Sequence, residues 1–287
     1  MTAANLVQSD LIINAPYDSF SLQMDGTDEY INCGNVLDQT GTDAFSVSGW
    51  LKYDTTKSNT LVGKMNSSFV GYQIYINAAN KLKFLLQGTG NLSATGATAL
   101  STNNWYHIVI TYDGTGATSG INFYINGTSE TFTGSGSNSG GVSNSENFEI
   151  GARTGTTDAL DGSISNVSIY NLELSAAQVL TLYNEHKPFN LNNFAVTPVS
   201  WWRLGSVNSS YNSTTTEFTV LDEVGTNDGT SVNMEQGDLV DGVGATGSGT
   251  SSGMSSGTNR TGDAPYSESN AVSYNMSVTA KSTSTPT

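Results

Sequence analysis

Residues 104–128 read NWYHIVITYDGTGATSGINFYINGT, and this stretch decides which kind of fold the chain can adopt. It predicts two strands joined by a loop rich in Gly and Thr, because bulky apolar residues recur with the two-residue period of a strand. In the first strand both alternating sets are bulky, which is typical of a strand covered on both faces. In the second, Ile121, Phe123 and Ile125 share one face. The Asn-Gly pair near the end tolerates positive φ and favours a tight hairpin turn, so the stretch predicts the middle of an antiparallel sheet.

The neighbouring sequence repeats this pattern at short intervals, with turn residues between the apolar runs. Further strands are predicted in residues 19–33, 45–53, 72–76, 82–86, 148–151 and 164–170. One helix is predicted after Ser175, because Ser175 and Gln178 form a capping box, and Pro188 ends it. Many short strands with a single short helix predict an all-β chain built as an antiparallel two-sheet β-sandwich.

The composition limits the possible functions. Only 12% of the 287 residues are charged, against roughly 25% in an average soluble domain. The formal net charge of -15 would repel phosphate backbones, so no nucleic-acid partner is expected. The acidity favours solubility, and divalent cations or basic proteins are the alternative explanation. No run approaches the roughly 20 apolar residues of a membrane span, so no membrane insertion is expected.

The first residues and the single cysteine indicate where the chain is made. The N-terminal sequence lacks the basic region and apolar core of a signal peptide. Cys33 has no second cysteine with which to form an intrachain disulfide. Both features favour synthesis in a reducing cytosol.

Five sequence blocks carry a family resemblance. They read, in order, FSVSGWLKYD, NNWYHIVITYDG, INFYINGT, FEIGAR and LDGSISNVSIYNLELSAAQVLTLYN. Together they resemble a laminin-G-like domain, which belongs to the concanavalin A-like lectin/glucanase jelly rolls. The resemblance covers residues 19–187 and leaves residues 1–18 as an N-terminal arm. It implies a concanavalin A-like jelly roll, but this fold hosts lectins, hydrolases and structural modules, so it implies function only weakly.

The remaining residues predict a small β-rich C-terminal extension. Residues 188–235 resemble the opening strands of a second copy of the same domain, including an Asp-x-x-Gly-x-Asn-x-Gly turn at residues 222–229. Residues 236–268 are a linker rich in Gly, Ser and Thr, and residues 269–287 contain a terminal strand and tail.

These C-terminal segments are too short to form a second sandwich. We therefore expect their strands to pair with each other, with the first domain, or with a neighbouring subunit as a docking arm. On this interpretation, a chain cut after Asn190 would still form a folded jelly roll.

Catalysis is not expected. Laminarinase-type hydrolases of the resembling fold carry Glu-x-Asp-x-x-Glu on one strand, and this chain has no such triplet. Glu146 and Glu149 are three residues apart and Asp222 and Glu223 are adjacent, so neither pair would point to one face of a strand. We expect all four to be solvated surface carboxylates. The only two histidines lie in different predicted elements, too few for a Ser-His-Asp triad or a His-based zinc site.

Carbohydrate binding is the second possibility, because lectins of the resembling fold use exposed aromatic rings. The four tryptophans lie in predicted strands and are expected mostly in the core. Tyr53, Tyr72, Tyr75 and Tyr124 are the candidate sugar-binding residues, since a tyrosine can bury its ring and leave its hydroxyl in water.

Calcium is the third possibility and follows from the resemblance. Family members often hold a structural Ca²⁺ where the first and last strands meet. Asp25 and Asp161 match the motif positions that would supply ligands, and Asp28 could assist, since hard oxygen ligands suit Ca²⁺. The alternative is two ordinary Asp-Gly turns. Ser165 and Asn166 replace the acidic pair that is common in the last strand of the family, which weakens a ligand role there.

These features together predict a non-catalytic attachment module. The chain resembles proteins encoded by tailed bacteriophages of marine origin in three features: the tandem arrangement, the expected cytosolic synthesis and the closing strand. That resemblance implies a virion-surface location as a capsid decoration or appendage subunit. The implied partners are capsid or appendage proteins, copies of itself, and host-surface or environmental glycans. A secreted bacterial carbohydrate-binding adhesin is the first alternative, and a glycoside hydrolase is the second.

Overall fold

The computed structural model describes residues 20–243, which form two antiparallel β-sheets stacked as a sandwich, as the sequence predicts. Sheet A contains β1 (Phe20–Asp25), β3 (Phe45–Tyr53), β8 (Tyr106–Tyr112), β9 (Ile121–Ile125), β10 (Thr128–Glu130), β13 (Asp161–Tyr170), β14 (Ser200–Trp202) and β18 (Leu239–Asp241). Sheet B contains β2 (Tyr30–Asn32), β4 (Asn59–Met65), β5 (Gly71–Ile76), β6 (Lys81–Gly88), β7 (Gly90–Ala99), β11 (Phe132–Ser135), β12 (Glu149–Ile150), β15 (Ser209–Asn212), β16 (Glu217–Val220) and β17 (Gly229–Val232).

The stretch at residues 104–128 lies inside sheet A, whose strands run in the order β10-β9-β8-β3-β13-β1-β18. Strand β8 pairs with both β3 and β9, and Ile110 lies opposite Phe123. Asn126 and Gly127 form the turn between β9 and β10, with φ values of 51° and 73°. The predicted central hairpin is therefore confirmed.

Sheet B runs in the order β11-β7-β6-β5-β4-β12-β2-β17-β16-β15. The apolar faces of the two sheets meet in one cluster, because alternate residues of each strand point inward. Its largest fully buried side chains are Phe45, Tyr53, Tyr72, Phe84, Tyr112, Phe123, Phe148 and Trp202.

The outer face of sheet A is covered by helix α1 (Ala176–Tyr183) and the residues that follow it. Ser175 accepts a hydrogen bond from the Gln178 backbone and Gln178 accepts one from the Ser175 backbone, which confirms the capping box. Short 3₁₀ turns follow at Asn184–His186 and Leu191–Asn193, and others occur at Thr118–Gly120 and Gln236–Asp238. The apolar side chains under this cover are Val109, Tyr124, Tyr170, Leu174, Val179, Leu182, Leu191 and Trp201.

No helix within residues 20–243 combines the length and the apolar character needed to cross a membrane.

The C-terminal strands within residues 20–243 belong to the same two sheets as the strands of the predicted first domain. Strand β14 pairs with β13, β17 with β2, and β18 with β1. Residues 188–235 therefore contribute strands to the first sandwich. Within the linker predicted at residues 236–268, residues 239–241 form strand β18, in which the apolar Leu239 pairs with Leu22 and is buried in the core. Residues 244–268 lie outside the described residues.

Two of the three expected pairings are thus present, with each other and with the first domain. The predicted N-terminal arm at residues 1–18 and the predicted terminal strand and tail at residues 269–287 lie outside the described residues.

Candidate functional site

The outer face of sheet B carries a small apolar cluster of its own, formed by Met65, Tyr75 and Leu85. Tyr75 lies between Ile74 and Ile76 on β5, and those two neighbours point into the core. Because side chains alternate along a strand, Tyr75 points to the opposite, outer face. This face carries the arrangement of side chains that we consider the candidate site.

The loop of residues 151–158 lies across this face, over β4. Gly63 allows the close approach, because a Cβ added there would lie 2.7 Å from the Ala152 carbonyl oxygen. The Thr154 hydroxyl donates to the Met65 carbonyl, and the Thr60 hydroxyl donates to the Asp158 carbonyl at 2.8 Å. The loop is thus bound to the sheet by both of its arms.

The backbone of this loop is strained. Thr154 and Asp158 have φ values of 54° and 53°, in the left-handed region that residues with a Cβ seldom adopt. Such conformations cost about 1–3 kcal/mol each and persist where the surroundings hold them in place, often at functional sites.

The side chain of Arg153 projects from the loop and is held between a carboxylate and an aromatic ring. Its Nε lies 3.4 Å from Asp158 Oδ2, and its Cζ lies 4.9 Å from the centre of the Phe69 ring. Arg153 is only 8% exposed, whereas Phe69 is 52% exposed. Phe69 also has a positive φ, 63°, which is unusual for a bulky residue. The strained turn thus presents an aromatic ring to solvent beside a buried cation.

Glu149 lies under the same loop and is buried. The Gly155 N–H donates to both of its carboxylate oxygens, at 2.9 and 2.8 Å. Burial raises the pKa of Glu149 to about 7, although the hydrogen bond from Gly155 acts in the opposite direction. At neutral pH this carboxyl group can therefore accept a hydrogen bond or donate one.

Two side chains of β5 complete the site. Gln73 Nε2 donates to Thr60 Oγ1 at 2.9 Å and to Asp158 Oδ2 at 3.1 Å, which fixes the carboxylate beside Arg153. Burial raises the pKa of the neighbouring Tyr75 hydroxyl, and the charge of Asp158 adds to this effect. We call this group the Arg153 site and define it by Phe69, Gln73, Tyr75, Glu149, Arg153 and Asp158.

The four tyrosines predicted to bind sugar do not form an exposed platform. Tyr53 and Tyr72 lie in the core between the sheets, with exposed fractions of 0% and 1%. Tyr124 lies beneath the cover of sheet A. Tyr75 is the one that belongs to the Arg153 site, and it is largely buried. Tyr53 and Tyr72 are buried because they point between the two sheets, and Tyr124 is buried because α1 and the residues after it cover the outer face of sheet A. Sugar binding by these tyrosines stays a prediction.

The expectation of solvated carboxylates is wrong for Glu149 and Asp222. Asp222 is 7% exposed, and its two oxygens accept hydrogen bonds from four backbone N–H groups, those of Trp201, Val224, Gly225 and Asn227. The Asp-x-x-Gly-x-Asn-x-Gly motif is therefore a loop organised around one buried carboxylate.

The predicted calcium residues meet where β1 and β13 pair, with Asp25 opposite Asp161. The Thr27 N–H donates to Asp25 at 2.7 Å, the Thr55 hydroxyl donates to Asp161 at 2.6 Å, and the Lys57 ammonium donates to the Gly26 carbonyl.

Within residues 20–243, no three His, Cys, Asp or Glu side chains lie close enough together to hold a metal ion, and Asp28 does not complete such a set. Calcium at this corner stays a prediction.

Sequence reasoning missed Arg153 and Phe69, the two most distinctive members of the site. Arg153 stands in the block FEIGAR, and it is one of only ten Lys and Arg residues in a chain with 25 acidic residues. The feature of the sequence that could have identified Arg153 is a cationic side chain next to a Gly-rich turn, in a chain with so few cations. Phe69 could not be identified as a site residue from the sequence, because an isolated aromatic residue in a Ser-rich turn belongs to no repeating pattern.

Comparison with known proteins gives the family and the fold. A laminin G family model, described as the concanavalin A-like lectin/glucanases superfamily, matches residues 25–180, more than half of the chain. A search of curated proteins finds no match.

Several solved structures share the fold. One is a Bacteroides ovatus protein with a provisional assignment as a carbohydrate-binding protein, with 18% identity and a TM-score of 0.51 over 75% of this chain and 58% of that one. This chain thus corresponds to little more than half the length of that protein. Another is the CBM40 of a Ruminococcus gnavus sialidase bound to sialyllactose, with 11% identity and a TM-score of 0.44 over 57% of this chain and 96% of that one. A third is a pentraxin from Limulus polyphemus, with 15% identity and a TM-score of 0.37 over 56% of this chain and 83% of that one. At these identities the likenesses show the fold alone.

Proposed function

This chain belongs to the concanavalin A-like lectin/glucanases superfamily, and from that premise we propose that it is a non-catalytic carbohydrate-binding module that uses the Arg153 site. The observation that carries the proposal is the exposed Phe69 ring beside the buried Arg153 guanidinium. An aromatic face with a few fixed polar groups around it is the usual composition of a small-ligand site.

The polar groups of the site support binding more than hydrolysis. A glycosidase needs two carboxyl groups that are free to act on opposite sides of one bond. In the Arg153 site, Glu149 already accepts from the Gly155 N–H, and Asp158 is held by Gln73 and lies beside Arg153. These contacts hold the two carboxyl groups in fixed positions suited to binding a ligand. They leave no pair of carboxyl groups free to act as the acid and the nucleophile.

A glycan array followed by calorimetry tests the proposal. The full chain is expected to bind a subset of neutral and acidic oligosaccharides, and Phe69→Ala should weaken that binding by about tenfold, the order expected for a lost aromatic contact. Leu180→Ala is the matched control, because Leu180 is 60% exposed but lies on α1, over the other sheet. It should bind like the parent chain.

Two results would overturn the proposal. One is glycan binding that Phe69→Ala leaves unchanged. The other is release of reducing ends from laminarin, agarose or alginate that Glu149→Gln abolishes, which would make the chain a hydrolase.

The biological setting is a second proposal and rests on the sequence resemblance. We propose that the module acts on a virion surface as a capsid decoration or appendage subunit. There it would contact capsid or appendage proteins, copies of itself, and host-surface or environmental glycans. Neighbouring capsid or tail genes would support this setting, whereas neighbouring secretion or polysaccharide-degradation genes would favour the adhesin alternative.

A further inference from the structure

A cleft of about 680 Å³ opens at the end of sheet B, in the part of the chain that follows the family match. It lies between the β15–β16 hairpin and the residues that lead from β17 into the 3₁₀ turn at Gln236–Asp238. Its lining is formed by Tyr211, Thr215, Thr216, Glu217, Val232, Asn233, Met234, Glu235, Gln236 and Gly237. This volume is within the range of about 300–1,000 Å³ that is usual for ligand pockets. The cleft shares no residue with the Arg153 site.

The wall of the cleft is anchored to the core. The Tyr211 ring packs edge-on against the buried Phe218, with the ring centres 5.0 Å apart, and remains half-buried. Met234 beside it is buried in the same core cluster. One part of the Tyr211 ring is therefore fixed by packing while the rest is available to the cleft.

The rim of the cleft has a constrained backbone. Thr216 and Asn233 have φ values of 56° and 58°. For a β-branched threonine this conformation is a genuine outlier. The Asn233 amide donates to the Asp28 carbonyl at 3.3 Å, which ties this side of the rim to the turn between β1 and β2. The two sides of the cleft are thus held in place before any ligand arrives, which reduces the entropy lost on binding.

The chemistry of the lining selects against negative charge. The described residues that line the cleft offer two threonine hydroxyls, two amides and the carboxylates of Glu217 and Glu235, and they include no Lys, Arg or His. The Glu235 backbone is held in place, because its N–H donates to the Asp238 carboxylate and its carbonyl accepts from the Asp238 N–H at 3.1 Å. Carboxylates and amides accept hydrogen bonds from ligand hydroxyls, and the tyrosine ring can contact the C–H face of a sugar. An anionic ligand would be repelled.

We propose that this cleft is a second saccharide site, which binds a short neutral oligosaccharide. The strands that close the sandwich would then also supply a binding surface, with a charge preference different from that of the Arg153 site. Because the two sites share no residue, either proposal can fail without the other.

The test uses ¹⁵N-labelled full-length protein and three neutral trisaccharides, namely cellotriose, laminaritriose and triacetylchitotriose, with trigalacturonic acid as the anionic counterpart. At least one neutral trisaccharide is expected to shift the amide signals of residues 211–217 and 232–237, and the acidic one is not. Tyr211→Leu, which keeps apolar packing without the ring, should weaken that binding by about tenfold. Glu217→Gln should weaken it less while leaving the melting temperature unchanged.

The controls separate this site from the first one. Phe69→Ala and Glu185→Gln, an exposed carboxylate in the turn after α1, should leave the shifts at residues 211–217 intact. The proposal is overturned if no neutral trisaccharide perturbs these residues, if the perturbed signals map to the Arg153 site, or if the cleft responds to spermidine and not to sugars.

Discussion

Residues 20–183, most of which match the family model, and residues 200–241 obtain their strand partners in different ways. In the first region most strands pair with the next strand along the chain, as β4 to β7 and β8 to β10 do. In the second region only β15, β16 and β17 pair with one another. Strands β14, β17 and β18 each pair with a strand of the first region.

This difference shows that the second region completes the first. Without β17 and β18, strands β2 and β1 would each be the last strand of a sheet. An exposed edge offers unpaired N–H and C=O groups to other chains, and proteins usually cover it. Trp202, Phe218 and Leu239 also lie in the same core cluster as Phe148. A repeat in sequence therefore does not mark a separate folding unit in this chain.

Among the changes that test this comparison, truncation of the second region is expected to have the largest effect on stability. A chain that ends at Asn190 loses five strands and the buried side chains of Trp202, Phe218, Val220 and Leu239. Each of these contributes on the order of 2–5 kcal/mol when buried, so their sum is about as large as the whole stability of a typical domain, about 5–15 kcal/mol. We expect this chain to aggregate or to unfold without a cooperative transition in a thermal melt followed by circular dichroism.

The control is a chain that ends at Val243, which keeps every contact among the described residues. It should unfold cooperatively, close to the parent temperature. If the chain ending at Asn190 instead folds cooperatively, the first region is autonomous and the second is an appendage, as the sequence alone suggested.

The contact between Trp202 and Phe148 gives a smaller and more specific effect. The two rings stack with centres 5.5 Å apart and planes inclined by 19°, and Trp202 Nε1 donates to the Asn227 carbonyl at 2.8 Å. Trp202→Ala should lower the free energy of unfolding by about 3–5 kcal/mol. A double-mutant cycle with Phe148→Leu, measured by urea denaturation, should give a coupling of about 0.5–1.5 kcal/mol.

The adjacent Trp201 provides the comparison, because it is equally buried but lies in the cluster on the outer face of sheet A. A cycle of Trp201→Ala with Phe148→Leu should show almost no coupling. Equal coupling energies for the two tryptophans would mean that the side chains on the two faces of β14 do not pack in separate clusters.

The sequence predicts those parts of the fold that depend on neighbouring residues. The β8–β9 hairpin follows from the alternation of its apolar residues, and the start of α1 follows from Ser175 and Gln178 three residues apart. Both are determined within a few positions, so the structure confirms them. Strand β18 was missed because it stands next to a Gly-rich tract, and only its pairing with β1 makes it a strand.

The candidate site was harder to predict because it depends on contacts between distant residues. The loop that carries Arg153 can lie on sheet B because Gly63, 90 positions earlier, lacks a side chain. Burial of Tyr124 depends on the cover formed by α1 and the residues after it. A strand that is bulky on both faces does not reveal which face a later segment will cover.

A charge at the junction of the two regions gives the smallest effect. Glu29 lies in the turn between β1 and β2, and Asp238 lies in the 3₁₀ turn before β18. Burial raises the pKa of Glu29 to about 7, and the charge of Asp238 adds to this, while the hydrogen bond from the Asp25 N–H acts in the opposite direction.

Because the pKa of Glu29 is higher in the folded state than in the unfolded chain, the protonated form stabilises the fold. That stability is fully present below pH 4.5 and is lost as the pH rises through 7. Glu29→Gln, which keeps an acceptor for the Asp25 N–H, should therefore raise the free energy of unfolding at pH 8 by about 1–3 kcal/mol and change it little at pH 4. In the Asp238→Asn background the gain at pH 8 should be smaller, since part of the repulsion is already removed. Urea denaturation at the two pH values measures both differences. An unchanged stability of Glu29→Gln at pH 8 would mean that water reaches this carboxylate and that the second region does not close tightly over the first.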